Sequence, residues 1–293
     1  MDRLQSMSTL VSAVEAGSLS AAARKLRIPL ATVSRKVSQL ERHLNAKLLK
    51  RAGRSLALTE AGQSYVAACK RILEDVAEAE RAATGEYRSP RGELIVTAPV
   101  VFGRLHVVPV AVEFLKAYAE IDIRLRLADQ LLNLLEERVD VAVRIGALPD
   151  SSLVATRIGS VRRVLCASPG YFAARGVPRT PADLAAHDCI TFEGIASPQA
   201  WSFGERSVPI RSRLAVNGAE AAVDAAVAGL GVARLLSYQA AQALRGGALA
   251  MALEEFEPPA LPVHVLHAGP RPLPLKLRAF LDFAVPRLKA ALG

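Results

Sequence analysis

The sequence contains few of the features that mark membrane, secreted or disulfide-stabilised proteins. No segment of its 293 residues approaches the roughly 18 consecutive apolar residues that a membrane-spanning helix requires. The first residues, MDRLQSMSTLVSAVEAG, include Asp2 and Glu15 and lack the apolar run of a signal peptide. The three cysteines, Cys69, Cys166 and Cys189, are far apart and form no CxxC pair. We therefore expect a cytoplasmic protein without membrane contact.

The sequence also lacks the motifs of common enzyme classes. It has no G-x-S-x-G, no Walker loop and no H-E-x-x-H. The GLG run at residues 229–231 lies between a predicted helix and a predicted strand, which is the wrong context for a dinucleotide fingerprint. His264 and His267 are three apart on a predicted strand, so they point to opposite faces and cannot share a metal. We predict no catalytic residue, no metal and no cofactor.

Positive charge is concentrated at the N-terminus. Of the formal net charge of +9, residues 1–58 carry +8, residues 59–89 carry −2 and residues 90–293 carry +3. A basic first fifth on a nearly balanced remainder is typical of a nucleic-acid-binding unit. The length predicts about two domains.

Three short helical patterns occupy this basic region. Residues 4–16 repeat apolar side chains at helical spacing, and Gly17 ends this first pattern. Ser18 stands where the N-cap of a second helix belongs, and Leu26 closes that helix. After a turn near Arg27, Pro29 is predicted at the first position of the next helix. The core stripe of that helix is predicted to be Val33, Val37, Leu40 and Leu44.

The opposite face of the third helix carries small, hydroxyl-bearing and basic side chains. Such side chains can approach a duplex closely and bind base edges and phosphates in the major groove. The DNA contacts predicted for this region are Ser18, Ser20, Leu30, Ala31, Thr32, Ser34, Arg35, Lys36 and Ser38. Two short extended pieces follow, at 48–51 and 55–58, and resemble a β-wing that places Arg51 and Arg54 near the phosphate backbone.

A long helix is predicted after the wing. Thr59 can cap it, Glu60 suits its first turn, and the pattern runs to about Arg88. Its apolar stripe consists of Ala61, Tyr65, Ala68, Ile72, Val76, Ala79 and Ala83. So small a domain cannot bury a stripe of this length, and we therefore predict an intermolecular helix pair and a dimer with two DNA-reading helices.

The remaining residues alternate between strand and helix patterns. The predicted strands are 93–99, 121–129, 140–146, 162–168, 188–192, 213–217, 231–236 and 263–269. The predicted helices are 105–118, 131–138, 181–186, 219–228 and 275–288. This alternation predicts an α/β fold with mostly parallel sheets covered on both faces.

A small-molecule site is expected where such strands end, because helix N-termini there present free N–H groups. Two junctions of this kind are residues 97–100 and 217–219, so Asn217 and Gly218 are candidate ligand contacts. Arg144 is near a strand end and could pair with a carboxylate, which leads us to hypothesise a small anionic effector. An interdomain salt bridge is the alternative role for Arg144.

Several motifs together resemble the LysR-type transcriptional regulators. They are AVEAGSLSAAARKL (13–26), VSRKVSQLE (33–41), LTEAG (58–62), GLGVARL (229–235) and LRAFLDF (277–283). The chain departs from the family at Pro29-Leu30-Ala31, where a Ser-Gln-Pro-like run is common, and at Asn45, where glycine is common.

The resemblance implies a winged helix-turn-helix domain (1–58), a linker and dimerisation helix (59–89) and an effector-binding domain (90–293). Within the last, subdomain one (about 90–161 plus 268–293) and subdomain two (about 162–267) flank a cleft like that of periplasmic binding proteins. The family's pocket positions match Thr97, Val100, Val101, Phe102, Asp129, Arg144 and Trp201. The implied partners are double-stranded DNA, further copies of the chain in dimers, tetramers or larger assemblies, and RNA polymerase.

Other readings remain open. Trp201 could be a core anchor instead of a ligand contact. A thiol redox-sensing regulator would use Cys166 or Cys189, although their apolar surroundings favour core positions. From other classes, a solute-binding protein or an enzyme with a basic N-terminal extension would explain part of the pattern.

Overall fold

The chain folds into two compact units, Met1–Arg88 and Ser89–Gly293. The computed structural model describes residues 2–52, 55–83, 89–129, 139–148, 153–192, 199–204, 206–267 and 273–292. Within these ranges, no helix combines the length and the apolar character needed to span a bilayer.

The first unit is a three-helix domain with a two-stranded hairpin and a long helix. Its elements are α1 (Arg3–Glu15), α2 (Leu19–Leu26), α3 (Leu30–Leu44), β1 (Leu49–Ala52), β2 (Ser55–Leu58) and α4 (Glu60–Ala83). The hairpin is antiparallel, with Leu49 opposite Leu58, as expected for the predicted wing. The unit's core contains Leu10, Val37, Leu40, Leu48, Val66 and Cys69.

Local capping interactions set the helix boundaries, largely as the sequence predicts. Gly17 has a φ of 72°, and the Ser18 hydroxyl accepts a hydrogen bond from the Ala21 N–H at 3.1 Å. Arg27 adopts the left-handed conformation with a φ of 56°, which ends α2. The Thr59 hydroxyl accepts from the Gly62 N–H at 2.9 Å and so caps α4.

Two details of α3 differ from the prediction. Pro29 precedes the helix as its cap residue, because its ψ of 141° is extended while its carbonyl already accepts from the N–H groups of Thr32 and Val33. Leu44 is half-buried, whereas Val33, Val37 and Leu40 are buried. The core stripe therefore consists of three residues, with Leu44 at its margin.

Glu41 and Gly62 connect the end of α3, the wing and α4. The buried Glu41 carboxylate accepts hydrogen bonds from the Leu48 N–H at 2.9 Å and the Leu49 N–H at 3.2 Å, and from Lys47 Nζ at 2.9 Å. Burial alone would raise the pKa of Glu41, but these partners outweigh it and lower the pKa. A Cβ at Gly62 would lie 2.0 Å from the Leu48 carbonyl oxygen, so only glycine permits this approach.

The second unit is an α/β domain. In chain order its elements are β3 (Gly92–Ala98), α5 (Val100–Phe102) with a π turn (Gly103–Val107) leading into α6 (Val108–Ala117), β4 (Ile121–Leu127), β5 (Val141–Ile145), β6 (Val154–Val161), β7 (Arg163–Ala167), α7 (Pro169–Arg175), a 3-10 turn (Pro181–Ala186), β8 (Asp188–Phe192), β9 (Ala200–Phe203), β10 (Arg206–Pro209), β11 (Arg211–Val216), α8 (Ala219–Val227), β12 (Val232–Leu236), α9 (Ser237–Arg245), β13 (Ala250–Ala252), a 3-10 turn (Glu254–Phe256), β14 (Leu261–His267) and α10 (Leu275–Leu292). The predicted helix 131–138 lies outside the described residues.

Ten of these strands form two mixed five-stranded sheets, and β9 and β10 pair with each other in a separate antiparallel hairpin. Sheet one has the order β4-β3-β5-β14-β6, and sheet two has the order β11-β8-β12-β7-β13. The prediction of mostly parallel sheets is wrong, because β14 pairs antiparallel with β5 and β6, and β7 pairs antiparallel with β12 and β13. The chain crosses from sheet one to sheet two between β6 and β7, and it returns between β13 and β14. The first strand after each crossover, β7 or β14, runs antiparallel to the parallel strands of the sheet that it joins.

The second crossover also corrects the predicted subdomain boundary. β14 pairs with β5 along Val263–His267, so the chain has returned to sheet one before residue 268. The C-terminal helix α10 packs there too, with Leu277, Phe280, Ala284 and Leu288 in the core of sheet one. The family-based expectation that the end of the chain folds back onto subdomain one therefore agrees with the pairing.

Candidate DNA-binding face and effector cavity

The outer face of α3 presents the side chains that the sequence assigns to DNA. Leu30, Ala31, Ser34, Arg35 and Ser38 are exposed, while Thr32 and Lys36 are half-buried. On the opposite side, Val33 is 0% exposed and Val37 is 4% exposed. The buried valines fix the helix by packing, which leaves small, hydroxyl-bearing and cationic groups in solvent.

The other predicted DNA contacts lie at the start of α2 and in the wing. Ser18 is the N-cap of α2, and Ser20 is exposed in its first turn. Arg51 belongs to β1, and its side chain is outside the described part of the structure, as is the whole of Arg54.

A cavity of about 160 Å³ lies between the two sheets of the second unit. It is bounded by the carboxyl ends of parallel strands, by the first residues of β7 and β14, and by the first turn of α9, as expected for a ligand site in an α/β fold. Its lining residues are Pro99, Ala128, Asp129, Arg144, Ile145, Arg163, Phe192, Leu236, Tyr238, Gln239 and Leu261.

Two arginines from different sheets contribute positive charge to this cavity. Arg144 is the last residue but one of β5 in sheet one and is 7% exposed, and Arg163 begins β7 in sheet two and is partly buried. Burial lowers the pKa of both guanidinium groups, since it disfavours the charged form.

Asp129 and Tyr238 add further polar groups to the cavity lining. Asp129 Oδ1 accepts a hydrogen bond from the Val100 N–H at 3.1 Å, which ties the strand end to the start of α5. Burial, and secondarily the charge of Asp129, raises the pKa of Tyr238, so its hydroxyl stays protonated and able to donate. The centroids of the Tyr238 and Phe102 rings are 5.4 Å apart, and the two rings pack edge to face.

Of the predicted effector contacts, Asp129 and Arg144 line the cavity and the others do not. Thr97 is fully buried, with its hydroxyl donating to the Arg126 carbonyl at 2.8 Å. Val101 and Phe102 are buried in the cores beneath the two sheets. Val100 is not a lining residue, but its N–H donates to the lining residue Asp129.

Trp201, Asn217 and Gly218 also lie away from the cavity. Trp201 is 1% exposed in the core formed with Tyr171, Leu184 and Val232, so it is a core anchor. Asn217 is exposed, and a Cβ at Gly218 would meet no atom of the described residues within 4 Å. On the side of sheet two, the cavity is instead lined by the end of β12 and the first turn of α9. The sequence analysis did not predict a helix at this position.

The alternative reading of the chain as a thiol redox-sensing regulator depends on the exposure of two cysteines. Cys166 and Cys189 are both 0% exposed, and burial raises the pKa of each thiol to about 12, whereas a redox-sensing cysteine needs an accessible thiolate.

Among the described residues, no group of three His, Cys, Asp or Glu side chains is arranged to hold a metal ion.

Comparison with known proteins identifies both units. Residues 4–63 match the model for the "Bacterial regulatory helix-turn-helix protein, lysR family", and residues 88–289 match that for the "LysR substrate binding domain". The chain belongs to the LysR family. This membership makes it a DNA-binding transcriptional regulator with an effector-binding domain.

Relatives and solved structures of the LysR family agree over nearly the full length. An uncharacterised HTH-type transcriptional regulator of Haemophilus influenzae is 34% identical over 94% of this chain and 98% of its own. The HTH-type transcriptional activator AaeR of Escherichia coli is 30% identical over 96% of this chain and 93% of its own. The LysR-type regulator CrgA of Neisseria meningitidis is 31% identical, with a TM-score of 0.62 over 97% of this chain and 98% of that one.

Proposed function

We propose that α3 enters the major groove of double-stranded DNA and that its outer face reads the operator. The observation that carries this proposal is the division of α3 into a buried valine side and an exposed side bearing Ser34, Arg35 and Ser38. A guanidinium and hydroxyls are suited to base edges and phosphates. Ser18, Ser20, Lys36 and the wing residues Arg51 and Arg54 are assigned to phosphates beside this groove.

We further propose that α4 pairs with α4 of a second copy. Its Val66, Cys69 and Leu73 pack into the unit's own core, but the neighbouring stripe of Ala61, Ala68 and Ile72 does not. Ile72 is 40% exposed. Pairing of these stripes would bury them and place two α3 helices on one operator, with half-sites about one helical turn apart or a multiple of it.

Sedimentation velocity tests this dimer. Ile72→Asp introduces a charge into the paired stripe and should raise the dimer dissociation constant at least about tenfold. Ala67→Asp adds the same charge at an exposed position off the stripe and should leave the dimer unchanged. Equal behaviour of the two variants would contradict the assignment of the stripe.

The cavity between the sheets is proposed to bind a small anionic effector, with Arg144 as its charged contact. A ligand that contacts both sheets would change how the sheets are set relative to each other, and this change would alter DNA bending and the access of RNA polymerase. The free energy of the shift between the ligand-free and ligand-bound arrangements can be no larger than the difference in the ligand's affinity for them. This model describes a cytoplasmic regulator that needs no metal or catalytic group.

Two measurements test the function as a whole. The first is to select the fragments of genomic DNA that the protein binds, which should yield an operator. Fluorescence anisotropy should then show that the protein binds this operator far more tightly than random DNA. Calorimetry with an acid found by thermal-shift screening should show lost affinity in Arg144→Ala. Unchanged affinity in that variant would remove Arg144 from the site while leaving DNA binding intact.

A further inference from the structure

Arg163 lines the cavity on the side of sheet two, where it is the first residue of β7 and is partly buried. Its buried Nε has no hydrogen-bond partner, and no carboxylate of the described residues forms an ion pair with it. A charged group that is buried without a hydrogen bond or a counter-charge is costly. An anionic ligand that enters the cavity and contacts Arg163 would remove this cost.

Arg234 stands beside Arg163 on the same face of sheet two. β7 and β12 are antiparallel, with Arg163 opposite Leu236 and Leu165 opposite Arg234. Side chains two residues apart on a strand share a face of the sheet, and directly opposite side chains share it as well. The two arginines are therefore diagonal neighbours, at a separation that long side chains can bridge.

Groups without a formal negative charge hold the Arg234 guanidinium in place. Arg234 is 4% exposed, donates to the carbonyl of Ser202, and has its Cζ 4.7 Å from the centroid of the Phe203 ring. Within the described ranges, no ion pair involves Arg234. Burial, and secondarily the charge of Arg163, lower the pKa of Arg234 to about 10, so both guanidinium groups are cationic at neutral pH.

The described lining on the side of sheet two supplies no negative charge for this pair of arginines. Apart from Arg163, it consists of Phe192, Leu236, Tyr238 and Gln239. The one carboxylate in the described lining is that of Asp129, which follows β4 in sheet one and accepts from the Val100 N–H. The wall formed by sheet two is therefore cationic by itself.

We propose that Arg163 binds the anionic group of the effector from the side of sheet two, with Arg234 behind it as a second positive charge. This inference rests on the proposed effector site and deepens it by naming a residue that selects a carboxylate ligand over a neutral one. A guanidinium fork matches the two oxygens of a carboxylate. The Tyr238 hydroxyl is a further donor on the same wall, and one anionic group is enough for this arrangement.

Anomalous scattering locates the anion site directly. Crystals of the full-length protein are soaked in sodium bromide, because bromide is a small anion whose binding does not depend on the shape of a carbon skeleton. An anomalous peak should contact the Arg163 guanidinium in the wild type and in the exposed control Arg245→Gln, and it should be absent from Arg163→Gln. No peak at Arg163 in the wild type, or a peak that persists in Arg163→Gln, would overturn the proposal.

Isothermal titration calorimetry tests the same site in solution. Acetate, propionate, butyrate and lactate are each compared with the matching amide, which has a similar shape and no charge. At least one acid should bind about tenfold or more tightly than its amide. Arg163→Gln should abolish this preference, Arg163→Lys should keep part of it, and Arg245→Gln should leave it unchanged. A bromide peak without any preference for an acid would indicate an adventitious ion only and would also overturn the proposal.

Thermal unfolding without ligand separates a binding role from a structural one. Because no described residue provides a counter-charge for Arg163, Arg163→Gln should unfold at the same temperature as the wild type or higher. A large fall in the unfolding temperature would show that Arg163 stabilises the fold and would contradict the proposal.

Failure of this inference can be told apart from failure of the proposed function. If Arg144→Ala loses affinity for an acid and Arg163→Gln does not, the proposed effector site stands and this inference fails. If Arg163→Gln loses affinity and Arg144→Ala does not, this inference stands and the assignment of Arg144 fails.

Discussion

The two units handle positive charge in opposite ways. In the first unit, the proposed DNA contacts on α3 lie within one short stretch, in water, on the back of a helix fixed by buried valines. In the second unit, Arg144, Arg163 and Arg234 come from three strands and are wholly or partly buried. A cationic side chain in water keeps its hydration and can bind a long polyanion such as DNA. A buried cationic side chain has lost hydration free energy, which a small bound anion can restore. The comparison teaches that the same residue type marks two kinds of site according to its burial.

The largest expected effect concerns the packing that holds α3 in place. Leu40→Ala removes a side chain that is 0% exposed and should lower the free energy of unfolding of the first unit by about 2–5 kcal/mol. Leu30→Ala, on the outer face at 47% exposure, should change stability by less than about 0.5 kcal/mol. Chemical denaturation followed by circular dichroism measures both. Similar losses in the two variants would show that α3 is not divided as described.

The next effect concerns base reading by the exposed face. Arg35→Ala should weaken operator binding by about 1–3 kcal/mol, because a bidentate contact to a base edge is lost. Anisotropy with operator and random DNA measures the difference, and Arg245→Ala serves as the control of equal charge. An equal loss on random DNA would instead identify Arg35 as a phosphate contact.

A smaller effect distinguishes the two serines at the start of α2. Ser18→Ala removes the hydroxyl that accepts from the Ala21 N–H and should cost about 1 kcal/mol of stability. Ser20→Ala, at an exposed position of the first turn, should cost little. Thermal unfolding of the two variants gives the comparison. A cost for Ser20→Ala as great as that for Ser18→Ala would contradict the capping assignment.

The smallest effect concerns the wing. Arg54→Ala should weaken binding to all sequences alike and reduce the slope of log affinity against log salt by about one unit, as expected for one lost phosphate contact. Binding isotherms at several salt concentrations measure the slope. An unaltered slope would remove Arg54 from the DNA interface.

The difference between the units also decides what the sequence could predict. The helices of the first unit follow from periodicity and local caps, such as Ser18 and Gly17, which involve neighbours in the chain. The cavity depends on which distant strands pair, so Arg163 and Tyr238 gave no local signal of a shared site. α9 was missed because its start at Ser237 directly follows the buried strand β12 without an intervening loop. The family resemblance placed Trp201 in the pocket, yet it is buried in a core whose other members include residues of β7, α7, the turn at Pro181–Ala186, β8, β12 and β13.

One measurement tests the central claim, that the outer face of α3 lies in the DNA groove. The native cysteines Cys69, Cys166 and Cys189 are buried, so an iron chelate can be attached selectively to Ser34→Cys, with the exposed Ala119→Cys as the control. The account predicts that Ser34→Cys cleaves operator DNA in two clusters, about one helical turn apart or a multiple of it. Cleavage that is absent, or identical to that from Ala119→Cys, would contradict it.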